Sequence, residues 1–301
     1  PMMARTDKHF RYLVRQLTKK AVLFTEMIHT NSILFGNKNK LDDYSETENP
    51  IVLQIGGNDP ESLSKVCKMA EHYNYDEINL NLGCPSPKVK SGNFGAALME
   101  QPEVVKDCLV AMQENSSKTI SVKIRLGVND NNIDKNLDDF VTQLSSTGIT
   151  VFYVHARKAI LDKLSPKDNR EIPPLNYSRV RKLKKDFPNL QIIINGGITD
   201  YFNQKKEFSG LDGIMVGREA YSYPRKLENI DSNFYGIKDI NYSLSDITNN
   251  MFDYFETLEK ENDVKKGLIH MHGLYSGLKN AKKIRVLLSN SCYFKPAKDE
   301  I

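Results

Sequence analysis

The sequence predicts a TIM (β/α)8 barrel followed by a small all-helical segment. Three observations predict it. Short apolar runs alternate with helical patterns, the mark of a parallel sheet with right-handed crossovers. The rhythm stops near Tyr223-Pro224, a length that fits a barrel of about 250 residues. The dinucleotide fingerprint G-x-G-x-x-G of a doubly wound open sheet is absent.

The expected strands are Val22–Met27, Ile51–Ile55, Glu77–Leu82, Thr119–Leu126, Val151–His155, Gln191–Ile194 and Gly213–Val216. Each is a short run bounded by turn residues or charges. Pro1-Met2 reads as the stump of an eighth strand, so the chain is expected to lack its first residues. Between the strands, Glu61–His72, Pro102–Glu114, Leu137–Ser146, Tyr177–Asp186 and Tyr201–Phe208 have helical spacing. Asn129–Asn136, "NDNNIDKN", reads as a polar loop. Ile247–Leu258 and Ala281–Leu288 then repeat apolar residues at helical intervals, with mixed helix and turn over Leu268–Leu278. The expected division is a barrel over 1–234 and a helical domain over 235–301.

With 301 residues and 40% hydrophobic content, the chain can bury a sizeable core. It has no secretory signal and no run long enough for a membrane helix. A monomeric cytoplasmic protein is expected, with organellar targeting left open by the start at Pro1. Cys67, Cys84, Cys108 and Cys292 are scattered without a C-x-x-C pair, which argues against a metal site or a disulfide scaffold. The net charge of +4 is uneven. Residues 264–301 hold eight Lys/Arg against two Asp/Glu, so the remainder is slightly acidic. Such a tail suits a polyanion, although a solvated lysine-rich helix looks the same in composition.

In barrels of this type, functional groups sit at the C-terminal ends of the strands. Those ends carry Gln54, then Asn79, Asn81 and Cys84, then Lys123 and Arg125. His155, Arg157 and Lys158 follow, then Asn195-Gly196-Gly197, and last Gly217-Arg218. Any one of them could be a satisfied core residue. Their gathering at one end favours a site. The two glycine turns with Arg218 follow the last two strands, where this fold binds phosphate. A phosphorylated ring cofactor is expected across the mouth, near Lys123 and Gln54. FMN suits a cation and an amide there; pattern alone leaves a sugar phosphate or pyridoxal phosphate open.

The motifs "PMMARTDKHFR", "LFTEM", "LQIGGNDP", "YDEINLNLGCPSPKVKSGNFGAALM", "VHARKA", "LSPKDNREIPPL", "INGGI" and "DGIMVGREAY" resemble the tRNA-dihydrouridine synthases of the A-type subfamily. The resemblance runs in order from Pro1 to about Tyr223, and more weakly beyond. It implies an FMN-bearing barrel, a helical tRNA-binding domain, and reduction of a D-loop uridine with NADPH, or NADH, as electron donor. By motif, FMN would meet Pro1, Met2, Met3, Gln54, Lys123 and His155. Asn195, Gly196, Gly197, Gly217 and Arg218 would surround its phosphate. Cys84 would be the proton donor and Asn81 would touch the target base, with Arg157 beside it. Lys167 and Arg170, and Lys282 and Arg285 of the C-terminal helix, would contact tRNA. Two departures stand out. Ala4 and Arg5 replace an acid and a tryptophan of the family pattern, and Lys282 and Val286 stand where arginines are usual.

The chemistry fits the residue types. Hydride added to C6 of uracil leaves an enolate that takes a proton at C5. A thiol of ordinary pKa, ~8.5, keeps its proton near neutrality and can act as that acid. Competing readings are an FMN barrel acting on a free pyrimidine, a non-redox phosphate-binding barrel, and an RNA-binding protein without redox activity. A basic helical tail favours the tRNA enzyme over the first of these.

Overall fold

The computed structural model describes residues 1–36, 40–129, 132–161, 163–205 and 207–290. Two compact units organise them. One comprises Met27–Asp43 and Ile51–Val216; the other comprises Pro1–Glu26, Tyr44–Pro50 and Gly217–Ile301. Strands are numbered β1 (Leu23–Phe24), β2 (Ile28–His29), β3 (Ile51–Gly56), β4 (Glu77–Leu82), β5 (Thr119–Arg125), β6 (Val151–His155), β7 (Gln191–Asn195) and β8 (Gly213–Met215).

In the unit containing β2–β8, each strand pairs in parallel with the next. This is the β/α order of a TIM-barrel-type sheet. The strands are apolar because helices cover the sheet. β3 is buried throughout, as are Phe152, Val154, Ile192 and Ile194. Helix Pro60–Ala70 starts with Asp59 capping Ser62 N and Pro60 in its first turn, and buries Leu63, Val66 and Cys67. Helix Pro102–Gln113 packs beside it and buries Val105, Cys108 and Leu109. Burial pushes the Cys67 and Cys108 thiols up to about 12, so both behave as small apolar residues.

Several expectations shift. The first expected strand, Val22–Met27, is only the two-residue β1, with β2 following at Ile28. Pro1 and Met2 form no strand. Arg5 N and Thr6 N both donate to Met2 O, which makes a turn of the segment. The helix expected from Leu137 spans Ile133–Ser145, because Asn132 caps Asp134 N and Lys135 N. Tyr201–Phe208 holds a three-residue 3-10 turn, Asn203–Lys205, where a helix was expected. Asp200 draws Asn203 into local hydrogen bonds there, an alternative that competes with helix.

In the other unit, helix Lys8–Arg15 is capped by Asp7, whose side chain accepts from His9 N and Phe10 N. Phe10, Leu13 and Val14 are its buried face, and Arg11 forms a buried pair with Glu48 at 2.6 Å. Helix Leu244–Glu256 opens with a Ser243/Asp246 capping box and buries Ile247, Met251, Phe252 and Phe255. Helix Glu261–His270 approaches it closely. A Cβ on Gly267 would lie 2.2 Å from the Phe255 ring, so only glycine fits. Helix Ala281–Asn290 buries Ala281 and Leu288 and leaves Lys282, Lys283 and Arg285 exposed.

Candidate active site

Parallel pairing sets the polar residues in rows. Gln54, Asn79 and Ser121 are register partners across β3, β4 and β5. Asn81 pairs with Lys123, Arg125 with His155, and His155 with Asn195. The polar ends of β3 to β7 singled out in the sequence therefore lie side by side in this unit.

Cys84 sits just past β4 with intermediate exposure. Its backbone is held on both sides. Cys84 N donates to Asn81 Oδ1 at 3.0 Å, and Gly83 N donates to the same oxygen at 3.2 Å. Ala96 N donates to Cys84 O at 3.0 Å. Gly95, at φ 66°, makes that return possible. A Cβ there would lie 2.4 Å from Val89 Cγ1 and 2.8 Å from Cys84 O. The sequence reading did not single out Gly95; its signal was the glycine in "NFGAALM".

Asn81 is thus a scaffold for the thiol loop. Its Nδ2 donates to Gln54 Oε1 at 2.8 Å. Gln54 Nε2 donates to Asn79 Oδ1 at 2.8 Å.

Lys123 Nζ donates to Asn195 Oδ1 at 3.0 Å, and Asn195 Nδ2 donates to Met215 O at 2.8 Å. Desolvation, and then the Arg125 charge, hold the Lys123 pKa down at about 7. Arg125 is buried, and its own pKa is pulled down to about 10, first by burial. Among the described residues neither cation has a carboxylate partner. Arg125 instead donates to three backbone carbonyls: Gly83 O at 3.0 Å, Lys158 O at 2.9 Å and Asn169 O at 2.8 Å. It joins the loops after β4 and β6 to the "SPKDNRE" segment. The sequence reading named Arg125 on its strand but gave it no role. Its signal was its parity with Lys123.

His155 ends β6. A Cβ on Gly196, at φ 110°, would lie 3.0 Å from the His155 ring, so this turn takes only glycine. Gly197, at φ 64°, is the exposed residue of the turn. Arg157 is buried and donates from Nε to Pro173 O at 2.7 Å. Lys167 and Arg170 are exposed on a loop stapled by buried Asn169. Asn169 Nδ2 donates to the carbonyls of Ile160, Leu164 and Ser165, and its Oδ1 accepts from Ile160 N at 2.7 Å.

The remaining expected cofactor residues belong to the other unit. There, Met2 and Gly217 are neighbours: a Cβ on Gly217 would lie 3.7 Å from Met2 Sδ. Gly217 leads into the short helix Arg218–Ser222, and Arg218 and Met3 are exposed. Ala4 takes φ 56° in the turn, and the Arg5 guanidinium lies 4.6 Å above the Tyr221 ring. Glu26 accepts from the backbone of Ala4 and Arg5. Burial, with the Asp7 charge, pushes its pKa up.

Flavin suits this chemistry. Desolvation disfavours the charged forms of Lys123 and Arg125, and an anionic ligand edge beside them would offset that cost. A family model for dihydrouridine synthase matches residues 1–298.

The chain belongs to the dihydrouridine synthase family.

The motif resemblance therefore stands, and with it the oxidoreductase class. The tRNA-dihydrouridine(20/20a) synthase of Synechocystis sp. is 43% identical over 302 residues, covering 100% of this chain and 90% of that protein. The protein of the same name in Escherichia coli K12 is 43% identical over 296 residues, covering 97% and 85%. That of Vibrio parahaemolyticus is also 43% identical, covering 97% and 90%. A solved variant of NCR from Zymomonas mobilis shares the fold alone. Its TM-score is 0.52 at 12% identity, over 76% of this chain and 83% of that one. Among the described residues of this dihydrouridine synthase family member, no helix is long and apolar enough to cross a membrane, and no group of three or more His, Cys, Asp or Glu could hold a metal ion.

Proposed function

We propose that the protein reduces the C5=C6 bond of uridine in the tRNA D-loop to 5,6-dihydrouridine, with Cys84 as the proton donor to C5. The relatives' names point to positions 20 and 20a as the uridines. The observation that carries the reading is a cysteine whose backbone is held beside two desolvated cations that have no carboxylate partner among the described residues.

When bound, FMN, reduced at the expense of NADPH, supplies the hydride that reaches C6. The chain's own residues do the rest. Lys123, His155 and Gln54 would hold the flavin ring. By the family resemblance, Pro1, Met2 and Met3 would line it, and Asn195, Gly196, Gly197, Gly217 and Arg218 would receive its phosphate. Asn81 holds the uracil, and Arg157 stabilises negative charge that develops on the base. The Cys84 thiol then gives its proton to C5, and the Asn81 and Ala96 backbone contacts fix where that thiol stands.

The base must leave its stack to reach the site, at a cost of a few kcal/mol. Lys167, Arg170, Lys282 and Arg285 offset part of that cost through phosphate contacts. All four are exposed. The helical segment over 235–301 is in this reading the tRNA-binding part, and 1–234 the catalytic part.

The test is Cys84→Ala. The purified variant is expected to stay yellow, to be bleached by NADPH, and to form little dihydrouridine in unmodified tRNA. Full turnover by it would remove Cys84 from the mechanism. Absence of dihydrouridine 20 and 20a from the tRNA of cells lacking the protein is the matching result in vivo.

A further inference from the structure

We infer that Glu77, Ser121 and Asn79 are positioning residues for Cys84, acting through one polarised chain of hydrogen bonds that ends on the Cys84 backbone. The inference rests on the reading of Cys84 as the proton donor.

The polarity follows from its upper end. The Gly83 and Cys84 N–H groups can only donate, so the Asn81 atom that faces them is Oδ1. Asn81 Nδ2 is then turned to Gln54 and donates to Oε1 at 2.8 Å. Gln54 Nε2 is left to face Asn79 Oδ1, at 2.8 Å. Asn79 Nδ2 donates to Ser121 Oγ at 2.7 Å. The Ser121 hydroxyl hydrogen goes to Glu77 Oε1, and Glu77 Oε2 accepts from the Tyr153 hydroxyl at 3.2 Å. Each amide has one orientation once the first is set.

Burial makes this rigid. Gln54, Asn79 and Ser121 are fully buried and Asn81 is 7% exposed. Flipping any one amide would set donor against donor and acceptor against acceptor where water cannot intervene, and such groups are costly to leave unmade. The sequence builds the chain by alternation. Glu77, Asn79 and Asn81 share one face of β4, and Ser121 and Gln54 are register partners of Asn79 on either side. An acceptor for the Ser121 hydroxyl is needed at the far end, and Glu77 supplies it. Gln54, expected beside the flavin, lies inside the same chain, so the thiol loop and that amide are oriented together.

The experiment uses the full chain. Ser121→Ala removes the acceptor for Asn79 Nδ2. Glu77→Gln keeps an acceptor for the Ser121 hydroxyl and is the conservative control. Two readouts need no turnover: amide exchange at Gly83 and Cys84, and the pH profile of Cys84 alkylation by iodoacetamide, followed on the Cys84 peptide. Flavin absorbance and thermal melting monitor folding.

In Ser121→Ala, exchange at Cys84 is expected to quicken about fivefold to tenfold, the equivalent of one buried hydrogen bond. Its alkylation profile shifts, and kcat falls while KM for tRNA holds. Glu77→Gln stays within about twofold of the parent because its chain is intact. Should Ser121→Ala not fold, Asn79→Leu, similar in volume, breaks the chain one link higher and is read the same way. Unchanged exchange and alkylation in a folded break variant overturn the inference, as do equal losses in Glu77→Gln. Neither readout depends on the Cys84→Ala result, so the two ideas fail separately.

Discussion

Lys123 carries a charge where water is scarce, and its chemistry follows from that. In an unfolded chain a lysine titrates at ~10.4; here desolvation brings it to about 7. The folded state thus disfavours the ammonium. That cost is fully present below pH 7 and is relieved as pH rises toward the unfolded value. The flavin-free Lys123→Met variant is expected to melt above the parent at pH 6, with the gap closing by pH 10. An anion beside Lys123 reverses the balance. FMN affinity, read by quenching of flavin fluorescence, is expected to be flat below pH 7 and to weaken above it, and Lys123→Met is expected to lose that dependence. Gly95 is the second residue of this kind. Gly95→Ala meets both positive φ and a 2.4 Å clash, for a cost on the order of 1–3 kcal/mol. The clash falls on the loop that carries Cys84. Lost dihydrouridine formation with retained flavin is the expected result, by activity assay and absorbance.

At the scale of elements, the loops after the strands are held from beneath by buried polar side chains. Arg125 ties three carbonyls together, and Asn169 closes the loop bearing Lys167 and Arg170. Asn169→Ala would leave several of those backbone groups unsatisfied, about 2–3 kcal/mol of local stability. Faster amide exchange over residues 160–170 and a raised KM for tRNA are expected, with flavin content unchanged. The packing continues above the sheet. Val128 bridges to Ala159 in parallel, and Ala96, Val128, Ala159 and Leu161 form a small apolar cluster beyond the strand ends. That cluster gives loop residues a fixed floor, which ordinary surface loops lack.

On the scale of the whole molecule, charge is segregated. Residues 264–301 hold the whole of the positive excess, and Lys282, Lys283 and Arg285 are exposed on one helix. Binding of tRNA is expected to fall linearly with the logarithm of salt concentration. Lys282→Ala with Arg285→Ala is expected to reduce that slope by about one to two, measured by filter binding, with kcat at saturating tRNA retained. Two helices far apart in the sequence also share one unit. Helix Lys8–Arg15 packs with Glu261–His270, the Phe10 and His270 rings 5.8 Å apart. No periodicity marks such a pairing, because it joins residues some 260 positions apart.

Much of the protein was legible in its residues. Alternating apolar runs fix the order of β/α units, since period 2 and period 3.6 patterns bury different faces. The position of Cys84 after β4, and the glycine turns after β7 and β8, followed from the rule that such sheets function at their strand ends. The motif blocks carried the family. The tertiary structure alone decided which partner each polar group takes. Arg125 holds carbonyls rather than a carboxylate, and Asn81 faces the thiol loop. Gly95 clears a path for the chain to return to Cys84. Hydrogen bonds are short and directional, so their partners depend on strand register and on loops that close across dozens of residues. Composition and spacing carry the pattern of burial; they do not carry that geometry.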